Sequence, residues 1–404
     1  MSNPGERLDV LDGFRGIAIA LVVWYHAWLV SGLSIAVINF IAEAGFLGVD
    51  LFFFISGFCL FFPYARAMLE GRPLPTARRF FTRRAAKILP SYLLALVVFA
   101  AVYRDRFASP QDAVVQLVSH LSFLHTLDPD TFGAISGPLW TIGVEVQLYF
   151  LFPLICVLFR KFPLLAYAGL VAVAEGYRYG LGAAHLDSTF WAFNQLPAYL
   201  DIFGAGMLAA YGFVAVRAGR LRVNRTVLTT LSVLLLGGTI AFLAIVTAID
   251  RAAGIDAMYA WVNAHRILLG PLFLALAVST AFAASPWRGF VAARPLVFLS
   301  VISYNLYLWN LEIAVWFHNA GLSQPASFAL SIVGSIAIAS AVTYLLERPI
   351  LDAAEPARLR NPVTAYRVVS SGRLVRDQQA RSAFVARPDA LRVARTASGI
   401  SAKP

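Results

Sequence analysis

The 404-residue sequence predicts an all-α polytopic membrane protein of about ten transmembrane helices with both termini cytoplasmic. Three observations carry that reading. The chain is 59% hydrophobic and only 14% charged, against roughly 25% charge in a soluble domain. Its apolar residues gather in ten runs, each long enough, with some tilt, to cross a hydrocarbon core of about 30 Å. Lysine and arginine alternate between rich and sparse loops.

The runs lie at 14–31, 46–64, 86–103, 138–159, 162–180, 191–216, 226–248, 266–284, 296–318 and 326–346. An even number of crossings puts both termini on one side. The loop at 65–87 carries Arg66, Arg72, Arg78, Arg79, Arg83, Arg84 and Lys87; later loops of the same set add Arg160, Lys161, Arg217, Arg220, Arg222, Arg225, Arg288 and Arg294. The opposite set holds Arg104, Arg106, Arg178 and Arg251, with Arg266 at a border. Fifteen cations against four or five make the basic side cytoplasmic, in a multi-pass inner membrane protein. Ala18 and Ala20 lie inside the first run rather than after it, so that run is expected to remain as an uncleaved anchor.

Residues 357–404 hold ten basic residues against Asp377 and Asp389, so eight of the eleven net positive charges sit in a tail. With few large apolar residues, 351–404 is expected to be a mostly disordered cytoplasmic tail behind a membrane domain at 1–350. A polybasic segment beside a membrane is drawn to anionic headgroups. No folded reading module accompanies the charge, which argues against nucleic acid as a partner. Cys59 and Cys156 both fall within spans and support no disulfide framework.

The first span opens on Arg15 and contains His26, an ionisable group where such groups are costly and usually functional. Eleven residues are about three helical turns, so the two project from nearly one face, roughly 16 Å apart along the axis. The second span carries Asp50 about one turn in, as a cap, an ion-pair partner or a site residue, while Gly48 and Gly57 allow close backbone approach. The stretch from Arg79 to Tyr92 is amphipathic, with Phe80 and Phe81 beside Arg83, Arg84 and Lys87; its charge exceeds what orientation requires and suits a phosphate-bearing ligand or headgroup.

The segment at 104–137 contains His120, His125, Asp128 and Asp130, but their spacing fits no standard zinc pattern, and no metal is expected. The fourth span begins with Pro138 and Trp140 and places Glu145 about two turns in, followed by Gln147 and Tyr149. Glu175 and Arg178 read as a structural pair, with Asp201 a secondary site candidate. The ninth span runs through Ser303, Tyr304, Asn305, Tyr307 and Trp309 to Asn310 and Glu312, and the last ends at Glu347, Arg348 and Pro349. His26, Asp50, Glu145, Asn310 and Glu312 all fall in the outer half of the bilayer, opposite the basic clusters.

Taken in order, Leu11, Asp12, Arg15 and His26, then Gly48, Asp50, Ser56 and Gly57, Arg84 to Pro90, Trp140, Glu145 and Tyr149, Ser303 to Trp309, and Glu347 to Pro349 resemble the acyltransferase family 3 of integral membrane O-acyltransferases, over about residues 7–350. The resemblance implies transfer of an acyl group, commonly acetyl from acetyl-CoA, to sugars of surface polysaccharides and glycolipids or to small hydroxylated acceptors. Acyl-CoA is then a co-substrate, with no bound cofactor. The family's pattern maps onto Arg15 and His26, Glu145, and Arg84 with Lys87. Where relatives usually have a second arginine this chain has Lys87, and where they often have a second histidine it has Asn310.

On this reading His26 is the catalytic base, or is transiently acylated before transfer, and Asp50 or Glu145 orients it or carries protons. Arg15, Arg79, Arg83, Arg84 and Lys87 hold acyl-CoA, and Trp140, Tyr149, Asn310 and Glu312 hold the acceptor. The rival from another class is a proton-coupled transporter or lipid flippase with His26, Asp50 and Glu145 as its relay. Oligomeric state is left open.

Overall fold

A bilayer offers the backbone no hydrogen-bond partners, so apolar runs of this length have to fold as helices. In the computed structural model, which describes residues 9–34, 39, 42–71, 73–221, 223–354, 366–368 and 374–376, they do. The main helices are α1 (Asp9–Ser31), α2 (Gly48–Glu70), α3 (Ala77–Val102), α4 (Pro110–Leu121), α5 (Leu139–Lys161), α6 (Pro163–Ala183), α7 (Leu200–Arg217), α8 (Arg225–Ala253), α9 (Ile255–His265), α10 (Leu269–Phe282), α11 (Ser285–Val291), α12 (Arg294–Asn319), α13 (Gln324–Val342) and α14 (Arg348–Ala354). A 3₁₀ turn joins α9 to α10, and a π-helical turn at Thr343–Glu347 joins α13 to α14.

Nine helical segments among the described residues are long and apolar enough to cross a membrane. The tenth expected run, the fifth in order, is the helix α6, which stays outside that set because Glu175, Arg178, Tyr167, Tyr177 and Tyr179 dilute its apolar character. Exposed Phe150, Leu154, Leu164, Leu165, Leu234 and Val333 form the apolar exterior that lipid tails can cover. The chain is a multi-pass membrane protein.

Small residues set the helix spacing. A Cβ on Gly16 would stand 2.1 Å from the Leu296 carbonyl oxygen, so α1 and α12 pack backbone to backbone. Gly57 on α2 and Gly206 on α7 do the same reciprocally, against the carbonyls of Phe203 and Phe54. These two helix pairs share the most extensive interfaces. Gly45, just before α2, abuts Leu21 in the middle of α1, and Gly48 abuts Ala18 one turn earlier, so those two helices run antiparallel.

Arg178 on α6 is buried and pairs with Asp201 at 2.8 Å as well as with Glu175, so Asp201 is part of a structural ion pair. Beyond Ala354 the described residues are two strands, Tyr366–Val368 and Leu374–Arg376, paired antiparallel. Apart from those strands and residues 351–354, the tail expected to be disordered lies outside the described residues, as do the loop cations Arg72 and Arg222.

Candidate active site

Arg15 lines a cavity of about 160 Å³ and donates from Nη2 to Cys59 Sγ at 3.5 Å. Three turns on, His26 Nδ1 lies 2.5 Å from Asn310 Oδ1 on α12. The Asn310 amide nitrogen donates to the carbonyls of Leu306 and Tyr307, at 2.9 and 2.8 Å. With both amide hydrogens committed to those carbonyls, the oxygen has to face the imidazole. His26 Nδ1 therefore carries the hydrogen, and Nε2 keeps its lone pair.

The cavity lies among α1, α2, α3, α5 and α12. Arg15, Arg84 and Lys87 line one end of it; Val49, Thr141 and Tyr307 line the other. Asn310 is three residues beyond Tyr307, so the His26–Asn310 pair sits about one helical turn past that end. Between the ends, Glu145 accepts from Ser56 Oγ at 3.1 Å and from Tyr149 OH at 2.6 Å. The Arg84 guanidinium stands over the Tyr149 ring, 5.8 Å from its centroid.

Lys87 forms an ion pair with Glu347, whose other oxygen accepts from Asn305 Nδ2 at 3.0 Å. Lys87 is also 5.5 Å from the centroid of Tyr304, whose hydroxyl donates to the Ile88 carbonyl at 3.0 Å. The motif residues of α12 and of the Glu347 turn thus converge on α3 and fix the cationic end of the cavity. Arg79 and Arg83 lie on the exposed side of the same helix and do not line it.

The remaining candidates stand elsewhere. Asp50 is buried in an ion pair with Arg266, at 2.7 and 3.3 Å, and that guanidinium is held between Phe193 and Tyr199 at 4.3 and 4.2 Å. The expected partnership of Asp50 with His26 is replaced by this pair, because a carboxylate in apolar surroundings needs a counter-charge that a neutral imidazole does not supply. Glu312 accepts from Ser136 Oγ at 2.6 Å and from Tyr103 OH. Trp140 stacks on Phe132 at 5.5 Å and packs toward Tyr199, away from the cavity lining. Of the four acceptor candidates, then, only Tyr149 lines the cavity and only Asn310 touches His26. A relay through His26, Asp50 and Glu145 has no described hydrogen bond joining its members.

The segment between α3 and α5 is folded onto the bundle. His120 and His125 are buried and stacked, centroids 4.2 Å apart; His120 Nδ1 donates to the Gln116 carbonyl at 2.7 Å and His125 Nε2 to that of Leu139 at 3.1 Å. Burial, reinforced by His125, pushes the His120 imidazole down to about 3, and burial lowers His125 as well. Tyr103, just past α3, is pushed up to about 12 by burial and by the Glu312 carboxylate, so it remains a donor. Among the described residues no third His, Cys, Asp or Glu joins the histidine pair as a metal ligand.

Comparison with known proteins gives the same outline. A family described as an acyltransferase domain matches residues 8–345. A Rhizobium radiobacter protein named "Protein 2 in picA locus" is 38% identical over 161 residues, covering 36% of this chain and 80% of that protein. A Staphylococcus aureus (strain COL) protein named "Putative O-acetyltransferase" is 22% identical over 347 residues, 76% of this chain and 51% of its own length. The chain thus spans about half the length of this staphylococcal relative. A protein of Acidianus two-tailed virus named "Putative acetyltransferase" is 25% identical over 350 residues, 86% of this chain and 91% of its own. No solved structure matches.

Proposed function

Because the chain belongs to the acyltransferase domain family, matched across residues 8–345, we propose that it is a membrane O-acyltransferase that moves an acyl group, acetyl foremost, from acyl-CoA to a hydroxyl of a carbohydrate, glycolipid or small acceptor. The names of the staphylococcal and viral relatives support acetyl as the group moved. The observation that carries the site is the cavity with cations at one end and the His26–Asn310 pair a turn past the other.

Arg15 and Arg84 bind the phosphates of CoA, their guanidinium forks matching phosphate oxygens, and Arg79 and Arg83 add charge at the mouth. The pantetheine arm lies along the cavity, and the roughly 16 Å between Arg15 and His26 brings the thioester to the imidazole. His26 Nε2 then takes the proton of the acceptor hydroxyl as its oxygen attacks the thioester carbonyl. The new C–O bond forms, the C–S bond breaks, and the CoA thiolate leaves with the proton that His26 gives up. Asn310 holds the imidazole in the tautomer this requires and offers an acceptor to the transient imidazolium.

The basic end faces the cytoplasm of the inner membrane, which supplies acyl-CoA, and the acceptor enters from the opposite side. Trypsin cleavage after Arg78, Arg79, Arg83 and Arg84 in the purified protein tests the donor site. CoA should slow that cleavage in the wild type and not in Arg15→Gln/Arg84→Gln; equal cleavage with and without CoA, together with no calorimetric binding, would overturn the assignment.

A further inference from the structure

A second cavity, of about 260 Å³, is separate from the first. Arg217 at the end of α7, Arg225 at the start of α8 and Arg288 on α11 line it, together with Val216, Leu221, Val223 and Phe282. Among the described residues no carboxylate lines it, and none of the three arginines forms an ion pair with a described residue. Arg288 is half-buried, and its Nε is cut off from solvent with no hydrogen-bond partner among the described residues.

The three cations are held in place by the frame around them. Four residues before Arg217, Phe213 packs on Phe282 at 5.2 Å. Four residues after Arg225, Thr229 Oγ1 accepts from the backbone N–H of Ala284 at 2.8 Å, and Ala284 lies four residues before Arg288. Trp287 Nε1 donates to Ser232 Oγ at 2.7 Å and pins α11 to α8. Each arginine is therefore one turn from a fixed contact. The start of the 29-residue α8 adds its helix dipole at Arg225. Orientation of the chain in a membrane calls for cations on this side but not for three that share one cavity.

We infer that this cavity binds a phosphate-type anion carried by a lipid headgroup. Val216, Leu221, Val223 and Phe282 line it beside the cations, and Leu221, Val227 and Phe290 are exposed at the same end of the bundle. Apolar surface next to paired cations suits a headgroup with its chains attached; a soluble phosphate would leave that surface unused. The site stands whether or not the larger cavity takes acyl-CoA.

Native mass spectrometry of the purified full chain tests this in two arms, one with added dioleoyl phosphatidylglycerol and one with inorganic phosphate, each against phosphatidylcholine as the neutral control. Phosphatidylglycerol retention that falls at least tenfold in Arg217→Gln/Arg225→Gln/Arg288→Gln, but not in Arg104→Gln/Arg106→Gln at the other end, supports the site with lipid as its source. Phosphate binding lost in the same variant without lipid retention supports the anion site and overturns the lipid source. Equal retention by wild type and triple variant in both arms overturns the inference. Arg288→Lys, which keeps the charge and loses the fork, should fall between them and guards against loss from misfolding alone.

Discussion

His26 and Asn310 form one unit across α1 and α12: the asparagine amide nitrogen is spent on the carbonyls of Leu306 and Tyr307, and its oxygen stands 2.5 Å from His26 Nδ1. Replacing Asn310 with Ala frees the imidazole to adopt the wrong tautomer. The expected result is a fall in kcat on the order of 10²-fold, with KM for acetyl-CoA nearly unchanged. Asn310→Asp retains an acceptor oxygen for Nδ1–H and should recover much of the loss. Steady-state kinetics of labelled acetyl transfer read both.

The donor-binding role proposed for Arg84 predicts an effect in the other constant. Arg84→Gln removes a charge-assisted contact worth about 1.5–3 kcal/mol, which raises the dissociation constant for CoA roughly 10- to 100-fold. Turnover at saturating acetyl-CoA should change little. Arg84→Lys keeps the charge without the fork and should lie between, by calorimetric titration of CoA.

The buried pairing of Asp50 with Arg266 predicts an effect on folding rather than on chemistry. Its partner Arg266 is 1% exposed, and Asp50→Asn leaves that guanidinium buried and unpaired, a loss of about 3–5 kcal/mol. Folded yield and Tm in detergent should drop, and Asp50→Asn/Arg266→Met should restore much of both. Activity per folded molecule should hold; its selective loss in well-folded Asp50→Asn would return Asp50 to the reaction.

The stacked histidines predict acid sensitivity in the segment between α3 and α5. His120 has a folded pKa of about 3, below its unfolded value near 6.5. The unfolded chain therefore binds more protons between those limits, and stability rises with pH across that window. On acidification below about pH 6.5 this one group removes up to ~1.4 kcal/mol per pH unit. Tm of the purified protein against pH should fall toward pH 4, and His120→Phe should flatten the slope.

The helices were legible because the bilayer permits so little else, and the places of His26, Asp50 and Glu145 along their helices follow from counting turns. Partners were less so. Arg266 sits at a span border in sequence, and its pairing with Asp50, 216 residues away, is decided by the tight packing of α2 on α7 and the aromatic slot between Phe193 and Tyr199. Glu145 was legible as a costly carboxylate, yet Ser56 and Tyr149 occupy it. Lys87 reads as one cation among several, and only the fold shows Glu347 opposite it. Asn310 was visible as the residue where relatives often have histidine; its grip on His26 depends on a hydrogen bond spanning 284 positions.

Acetyl transfer by His26→Ala in proteoliposomes, supplied with labelled acetyl-CoA on the basic side, bears most directly on the proposal that His26 is the base and the cavity holds the donor. With Arg15, Arg84 and the cavity intact, the variant should bind CoA within about twofold of wild type and lose transfer by at least ~10³-fold. Turnover near the wild-type rate in that variant would contradict the role assigned to His26.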